Sequence, residues 1–246
     1  MYNQIVNMMN DEVSGVKGLQ LLKASEQYAV VADADLDAGF PGKNTGGSTG
    51  DITFGWFAKY LSLPSDDGSL FGGMTKGSAG SERSFKSNIL GALGDKLDVR
   101  YDSSSSNTSR KTTNAIIVTG DLSNVVSIII SIDVSAKTIK MYKNGVIVAM
   151  NTAFLGATSI DLTIASFTLG ARDTPTPDSF ADIIVRSAFI SNAVLNDTQI
   201  SDIHTNGVDA SIPNGVGAWD FNNLNGLDLI GSNNFSFVNN PLFVSL

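Results

Sequence analysis

The dipeptide Asn144-Gly145 constrains the fold of this chain more than any other feature of its sequence. It interrupts the strand-like stretch Lys137–Met150, and its two residues best tolerate the positive φ angles of a type I′ turn. The sequence therefore predicts a β-hairpin. Because side chains alternate between the faces of a strand, we expect one apolar face, formed by Ile139, Met141, Val146, Val148 and Met150.

The remainder of the chain has the texture of a many-stranded all-β domain. Short β-branched runs alternate with segments rich in Gly, Ser, Thr, Asn and Asp, which are typical of turns. With 42% hydrophobic residues among 246, the chain can bury a sizeable core within one domain. We expect this domain to span residues 19–246, and we expect Met1–Gly18 to be an N-terminal arm or a short helix.

Charge and cysteine content argue against several classes of function. Charged residues make up only 16% of the chain and its formal net charge is −8, whereas duplex nucleic-acid binding needs clustered Lys and Arg. Without cysteine there is neither a disulfide framework nor a thiolate metal site. No apolar run reaches membrane-spanning length, and residues 1–12 have no signal-peptide pattern. We therefore expect neither nucleic acid nor a membrane span to be involved.

One segment has the pattern of an α-helix. Asn196 is a favourable N-cap, and Gln199 completes a capping-box pattern three residues later. Gly207 is a typical residue at a helix end. These signals predict a helix at Asp197–Asn206.

Two polar segments, Gly72–Ser81 and Ser103–Thr113, are predicted to be loops because glycine, serine and threonine dominate them. By contrast, Trp56 and Trp219 lie in alternating strand patterns. We expect both indole rings to fill the core.

Several motifs follow one another in an order that is typical of a known superfamily. They are the strand Asp51–Phe57, the stretch Ser131–Ala149 with its Asn-Gly turn, Phe167–Gly170, Phe180–Val185 and the closing segment Leu195–Gly207. In this order they resemble the laminin G-like, concanavalin A-like lectin superfamily. The resemblance implies an all-β fold, a two-sheet antiparallel jelly-roll sandwich with one short helix near the C-terminal third. The chain departs from the family pattern in having no tryptophan before Val125.

The acidic residues offer no catalytic pair, although some proteins with this fold are glycoside hydrolases. A retaining glycosidase needs two carboxyl groups about 5–5.5 Å apart. The hydrolase branch supplies them as Glu-x-Asp-x-Glu, a run that does not occur here, and the three glutamates Glu12, Glu26 and Glu82 are far apart in the sequence. The only histidine, His204, lies on the predicted helix, where we expect a surface residue. We therefore expect no enzymatic activity.

The one cofactor for which the sequence offers candidate ligands is a bound Ca²⁺. Relatives in the superfamily often hold this ion with loop oxygens, and hard cations need several carboxylate or carbonyl oxygens. The candidate ligands are Asp33, Asp35 and Asp37, together with Asp182, the acid at the family's "iD" position. In the alternative interpretation these carboxylates only form turns and bind loop backbone.

Glycan binding is the usual association of the superfamily and requires an aromatic platform with polar neighbours. Tyr142 and Lys140 lie on the mixed face of the predicted hairpin and are the candidate glycan contacts. The alternative is that Tyr142 is there only because tyrosine favours strands.

Two classes of function remain. In the first, the chain is a non-enzymatic structural or interaction protein on a phage or viral particle, as a decoration, fibre or tail-associated subunit, with glycan adhesion as an added role. It would assemble through Met1–Gly18 and be found on virions or at an extracellular surface. In the second, it is a soluble carbohydrate-binding module. A polysaccharide-active hydrolase is the least favoured alternative. We expect the first class, by analogy with laminin G-like modules of phage particles.

Overall fold

The computed structural model describes residues 15–79, 82–103, 106–112, 114–152, 159–172 and 177–246. One sheet contains eight strands: β1 (Lys17–Leu21), β3 (Ile52–Tyr60), β8 (Val125–Asp133), β9 (Thr138–Lys143), β10 (Val146–Thr152), β12 (Ile183–Ser191), β13 (Gly215–Asp220) and β15 (Leu242–Ser245). The other sheet contains seven: β2 (Tyr28–Val31), β4 (Leu70–Ala79), β5 (Glu82–Leu90), β6 (Lys96–Ser103), β7 (Ser106–Lys111), β11 (Phe167–Leu169) and β14 (Ser236–Val238). A single α-helix among these residues, α1, spans Asp197–Asn206.

Both sheets are antiparallel throughout their described strand pairs. The eight-stranded sheet has the order β10-β9-β8-β3-β12-β1-β15, with β13 paired to the second half of β12. The seven-stranded sheet has the order β14-β2-β11-β4-β5-β6-β7. The sheets pack face to face around one large apolar core, which confirms the predicted two-sheet jelly-roll sandwich. None of the helices in the described part of the chain is long and apolar enough to cross a membrane.

Aromatic rings form the centre of the core. Trp56 and Trp219 are 1% and 0% exposed, as predicted. The indole ring of Trp219 lies 4.6 Å from the ring of Phe235 and 5.8 Å from that of Phe167, measured between centroids. Each indole N–H donates a hydrogen bond inside the core, that of Trp56 to the Tyr60 hydroxyl and that of Trp219 to the Asn233 carbonyl. The rings thus join the two sheets without a buried N–H being left unpaired.

Helix α1 covers the outer face of the eight-stranded sheet. The predicted capping box is confirmed: the Asn196 side chain accepts from the Gln199 N–H, and the Gln199 side chain accepts from the Asn196 N–H. Ile200 and Ile203 point inward and pack in a second apolar cluster that contains Phe57. This face of the sandwich is therefore closed by the helix.

The hairpin at Asn144-Gly145 forms as predicted, with φ values of 51° and 75° at the turn. Its predicted faces are wrong beyond Ile147, where a β-bulge shifts the register so that Ala149, rather than Val148, lies opposite Met141. Val148 and Met150 are 43% and 57% exposed, and Val146, which precedes the bulge, is 65% exposed, so the predicted apolar face is buried only at Ile139 and Met141. One extra residue in a strand reverses the faces of all residues that follow it.

The two predicted loops are strands instead. Residues 72–79 belong to β4, and residues 106–111 form β7 as the edge of the same sheet. Gly72 is required by packing, since a Cβ atom there would lie 2.4 Å from the carbonyl carbon of Ala171. The glycine that suggested a loop therefore marks a close approach of backbone to the sheet. Residues 1–14 of the predicted arm Met1–Gly18 lie outside the described residues. The last two residues of that range, Lys17 and Gly18, belong to β1.

The contact between Tyr142 and helix α1 gives a prediction for stability against pH. The Tyr142 hydroxyl donates to Asp197 Oδ1 at 2.7 Å, and Lys140 Nζ donates to the same atom at 3.1 Å. These hydrogen bonds lower the pKa of Asp197 below its usual value. A carboxyl group with a lowered pKa in the folded state stabilises above its unfolded pKa of about 3.9, and this contribution is lost as the pH falls through the folded pKa.

We expect Tyr142→Phe to lower the free energy of unfolding at neutral pH by about 1 kcal/mol, which lowers Tm by about 2–4 °C. The difference in Tm from the unchanged protein should shrink below about pH 4, because the carboxylate is then being protonated in both states. Calorimetry across pH measures both values, with Asp197→Asn as the control that should abolish the pH dependence. A difference that is constant with pH would contradict the role of Asp197.

Candidate functional site

The outer face of the seven-stranded sheet is lined by polar side chains. On β5, Phe85 and Ile89 point into the core, so Lys86 and Asn88 point outward. The strand pairing sets Thr168, Thr75, Lys86 and Arg100 side by side in one row across four strands, and Asn88 opposite Asp98 in the next. We call this surface the polar face and define it by seven residues, Thr75, Ser84, Lys86, Asn88, Asp98, Arg100 and Thr168.

Much of the polar face is buried although it points away from the core. Thr75 and Thr168 are 0% exposed, and Asn88 is 1% exposed. Residues 171–172 and 177–180 lie against this side of the sheet: the Gly72 N–H donates to the Ser179 carbonyl at 2.7 Å, and Thr168 Oγ1 donates to the Ala171 carbonyl at 2.9 Å. The polar face therefore consists of buried polar groups, and a chain segment packs over part of it.

Several of these buried groups have no partner within the chain. Among the residues that the structure describes, six buried side-chain atoms lack a hydrogen bond, and four of the six belong to the polar face: Thr75 Oγ1, Ser84 Oγ, Asn88 Oδ1 and Arg100 Nε. An unpaired buried polar group costs about 1–3 kcal/mol, so folded proteins contain few of them. Four of the six are concentrated on one sheet face, where the protein encloses them.

An ion pair between Arg172 and Asp178 lies beside the polar face. Arg172 Nε donates to Asp178 Oδ1 at 2.7 Å, and Arg172 Nη2 donates to the other oxygen. Burial opposes ionisation of Asp178, but hydrogen bonds from Arg172 and Ser179 and the charges of Arg172 and Lys86 outweigh it and lower the pKa of Asp178. Asp178 is therefore held as a carboxylate that cannot act as a proton donor near neutral pH.

The polar face and this ion pair carry more positive than negative charge. Their described charged groups are three cations, Lys86, Arg100 and Arg172, and two carboxylates, Asp98 and Asp178. The chain as a whole carries a formal net charge of −8. This surface is thus a local positive region on an acidic protein.

The four aspartates of the calcium prediction do not form a joint site. Asp33 pairs with Lys76 Nζ at 2.8 Å, and Asp35 is exposed. Asp37 accepts from the Ser232 N–H at 2.7 Å, and hydrogen bonds from Ser232 are the main reason that its pKa is lowered. Asp182 accepts from the Lys23 N–H at 2.8 Å. Among the described residues, no three acidic or histidine side chains are grouped so that they could hold a metal ion.

The predicted glycan contacts Tyr142 and Lys140 lie on the other sheet. Tyr142 is only 1% exposed, because helix α1 covers its ring, so the surface position expected for it is wrong. Lys140 lines a cavity of about 250 Å³ with Ser131, Asp133 and Met150, but it is paired with Asp197. The sequence pattern showed that Tyr142 faces away from the main core but not that a helix lies over it.

His204 was expected at the surface, yet it is half-buried against the sheet. Its Nδ1 lies 3.0 Å from Ser127 Oγ, and its ring stacks on Phe57 with centroids 6.3 Å apart. Ser127 is only 1% exposed, so no substrate could reach its hydroxyl. We interpret the pair as a contact that attaches the helix to the sheet.

A signal for the polar face is present in the sequence. Ser84, Lys86 and Asn88 alternate with the apolar pair Phe85 and Ile89, and Asp98 and Arg100 alternate with Leu97, Val99 and Tyr101 in the same way. This alternation identifies a strand with a polar side. It does not show that the polar side is buried or that the side chains of separate strands meet.

No protein-family model and no curated protein matches the chain. Solved structures do share its fold. A protein from Bacteroides ovatus to which carbohydrate binding is ascribed superposes with a TM-score of 0.69 at 14% identity, over 94% of this chain and 60% of that protein. This chain therefore spans about 60% of the length of that relative.

Two further structures are similar. A native heptameric SAP-like pentraxin from Limulus polyphemus has a TM-score of 0.55 at 10% identity, covering 94% of this chain and 90% of the pentraxin. The CBM40 of the Ruminococcus gnavus IT-sialidase, solved with α2,3-sialyllactose, has a TM-score of 0.53 at 14% identity, covering 78% of this chain and 100% of that module. At these identities the similarity shows a shared jelly-roll sandwich.

The positions of the four aspartates lead to a prediction for calcium. We expect thermal melting curves recorded in excess calcium and in excess chelator to coincide, because calcium needs several oxygen ligands, whereas Asp33, Asp37 and Asp182 are engaged by protein donors. Calorimetry or circular dichroism measures the midpoints. If calcium raises the Tm of the unchanged protein but not that of Asp33→Asn, this prediction is wrong and Asp33 is a calcium ligand.

Proposed function

We propose that this chain is a carbohydrate-binding module and that a sugar binds at the accessible part of the polar face. The observation that carries the proposal is the group of partly exposed polar side chains there, Arg100, Arg172 and Asp178. Sugar hydroxyls both donate and accept hydrogen bonds, so they can bind the two guanidinium groups and the carboxylate, whereas Thr75 and Asn88 are enclosed by the protein. A few fixed polar groups in a sheltered site are what small polar ligands require.

The similar structures support this proposal more than the particle-surface role. Two of the three that we describe are a protein to which carbohydrate binding is ascribed and a sialidase module solved with sialyllactose. Since their identity to this chain is 14%, they indicate which functions the fold serves and not where a sugar binds here. A role on a phage or viral particle, and assembly through Met1–Gly18, stay predictions from the sequence.

We propose binding without hydrolysis. A glycosidase requires one carboxyl group that carries a proton and a second that is ionised. The described carboxyl groups on the polar face and its ion pair are those of Asp98 and Asp178, and Asp178 is held ionised by Arg172, so it cannot supply the proton. Substrate turnover would contradict this part of the proposal, and binding without turnover supports it.

Two kinds of substitution test the polar face. Thr75→Val keeps the shape of the side chain and removes an unpaired, enclosed hydroxyl, whereas Arg100→Gln and Arg172→Gln each remove a partly exposed guanidinium group. We expect Thr75→Val to raise the free energy of unfolding by about 1 kcal/mol, which raises Tm by about 2–4 °C. We expect the two arginine variants to bind sugar about tenfold or more weakly, because hydrogen bonds to the ligand are lost.

The measurements are a glycan array, followed by calorimetric titration with the strongest ligand. Ser187→Ala is the matched control: Ser187 is 3% exposed and its Oγ is also unpaired, but it lies in the eight-stranded sheet. It should stabilise the protein in the same way as Thr75→Val. Arg186→Gln, at a partly exposed arginine of the eight-stranded sheet, is the control for binding and should leave it unchanged. If no glycan binds the unchanged protein, or if Arg100→Gln and Arg172→Gln bind as tightly as it does, the polar face is not the sugar site.

A further inference from the structure

Strand β10 (Val146–Thr152) is an edge of the eight-stranded sheet whose outer side has no partner strand. Within the part of the chain that the structure describes, β10 pairs with β9 alone. The outer side of an edge strand presents backbone N–H and C=O groups that can pair with a further strand. Residues 149–152, beyond the bulge, pair with β9 in unbroken register, so their outer side is a regular template for one more strand.

The other strands at the ends of the two sheets are protected in ways that β10 is not. β14 and β15 have only three and four residues. β7 carries Arg110 and Lys111. Short length, charge and proline are common means of preventing edge pairing. β10 has seven residues, none of them charged or proline, and its one protective feature is the bulge after Ile147.

The side chains of β10 expose apolar surface to water. Four of the seven are apolar and at least 40% exposed, namely Val146, Ile147, Val148 and Met150. The lysines of β9 beside them are neutralised within the chain, because Lys143 pairs with Asp121 at 2.7 Å and Lys140 pairs with Asp197 at 3.1 Å. This edge therefore combines free backbone groups with an apolar, uncharged surface, whose removal from water is favourable.

We infer that β10 pairs with β10 of a second copy of this chain, in antiparallel orientation, so that two eight-stranded sheets join into one. A two-fold axis between the strands makes such an interface self-complementary. Because β10 has no charged residue, the two strands bring no like charges together, although each chain has a formal net charge of −8. The same lack of charge gives β10 no means of selecting a strand of a different protein by charge complementarity.

The size of the edge is consistent with a reversible dimer. Seven residues at about 3.4 Å each give an edge about 24 Å long. With side chains on both sides of the strand the edge is about 20 Å high, so each copy buries on the order of 500 Å² and the pair about 1,000 Å². This total is at the lower limit for a specific interface. We therefore expect a dissociation constant on the order of micromolar.

The dimer has a consequence for ligand binding. The two-fold axis that relates neighbouring antiparallel strands is perpendicular to the sheet, so both seven-stranded sheets lie on the same side of the joined sheet. The two polar faces then point in the same direction, and a glycan with repeated units could bind both and gain apparent affinity. This consequence rests on the proposed function, whereas the dimer itself does not.

A charge placed on the edge tests the interface. Met150 lies directly opposite Lys140, so Met150→Glu adds a favourable pair within one chain but places two carboxylates in the dimer interface. Leu242→Glu is the matched control, because Leu242 is 63% exposed on β15, at the other end of the same sheet. We expect Met150→Glu to weaken dimerisation about tenfold or more and Leu242→Glu to leave it unchanged.

Sedimentation equilibrium of the full chain over a range of concentrations gives these dissociation constants, and Tm shows that each variant is folded. For the unchanged protein we expect dimerisation to strengthen as salt is added, because salt screens the repulsion between two chains of net charge −8. Assembly through pairs of opposite charge would weaken instead.

Single cysteines test the pairing of the strands. The chain has no cysteine, so each of Ala149→Cys, Met150→Cys, Asn151→Cys and Thr152→Cys contains one thiol. A disulfide needs Cα atoms less than about 7 Å apart, which two-fold strand pairing allows at only one or two adjacent positions. We expect oxidation to cross-link those positions and not Leu242→Cys. Gel electrophoresis without reductant measures the cross-linked fraction.

The outcomes separate this inference from the proposed function. A chain that remains monomeric up to about 500 μM overturns the inference, and sugar binding by that monomer leaves the proposed function intact. A dimer that Leu242→Glu disrupts, or that Met150→Glu does not weaken, forms through another surface, and the inference is then wrong. Equal cross-linking at all four positions of β10 would also contradict antiparallel pairing.

Discussion

Burial of apolar side chains between two sheets is the interaction on which the rest of this structure depends. The rings of Trp219, Phe167 and Phe235 are stacked at the centre of that interior. Because side chains alternate along a strand, each residue buried there sends its neighbour to the opposite side. Because Phe85 and Ile89 pack in the core, Lys86 and Asn88 lie on the outer face of the sheet.

The two outer faces of the sandwich have different environments. On the eight-stranded sheet, helix α1 supplies Ile200 and Ile203, and the Tyr142 hydroxyl finds a partner in Asp197. On the seven-stranded sheet, polar groups are buried and several lack a partner. These enclosed groups lower the free energy of unfolding, whereas Arg100 and Arg172 at the same surface are partly exposed and accessible to a ligand.

Local signals predicted the elements whose conformation depends on a few adjacent residues. The turn at Asn144-Gly145 and the helix Asp197–Asn206 with its capping box are both confirmed. Local signals failed where distant residues decide the outcome. Residues 72–79 form a strand despite two adjacent glycines, because they pair with β5 and β11, and the lack of a side chain at Gly72 leaves room for Ala171. The bulge after Ile147 likewise changed which hairpin residues are exposed.

The sequence by itself determined the all-β class, the turn, the helix and the burial of both tryptophans, because alternation, capping and turn preference act between near neighbours. Only the tertiary structure decided where the functional groups lie. Thr75, Asn88 and Arg100 come from three different strands, and strand order and register bring them together. Such relations among distant residues leave no local pattern in a single sequence.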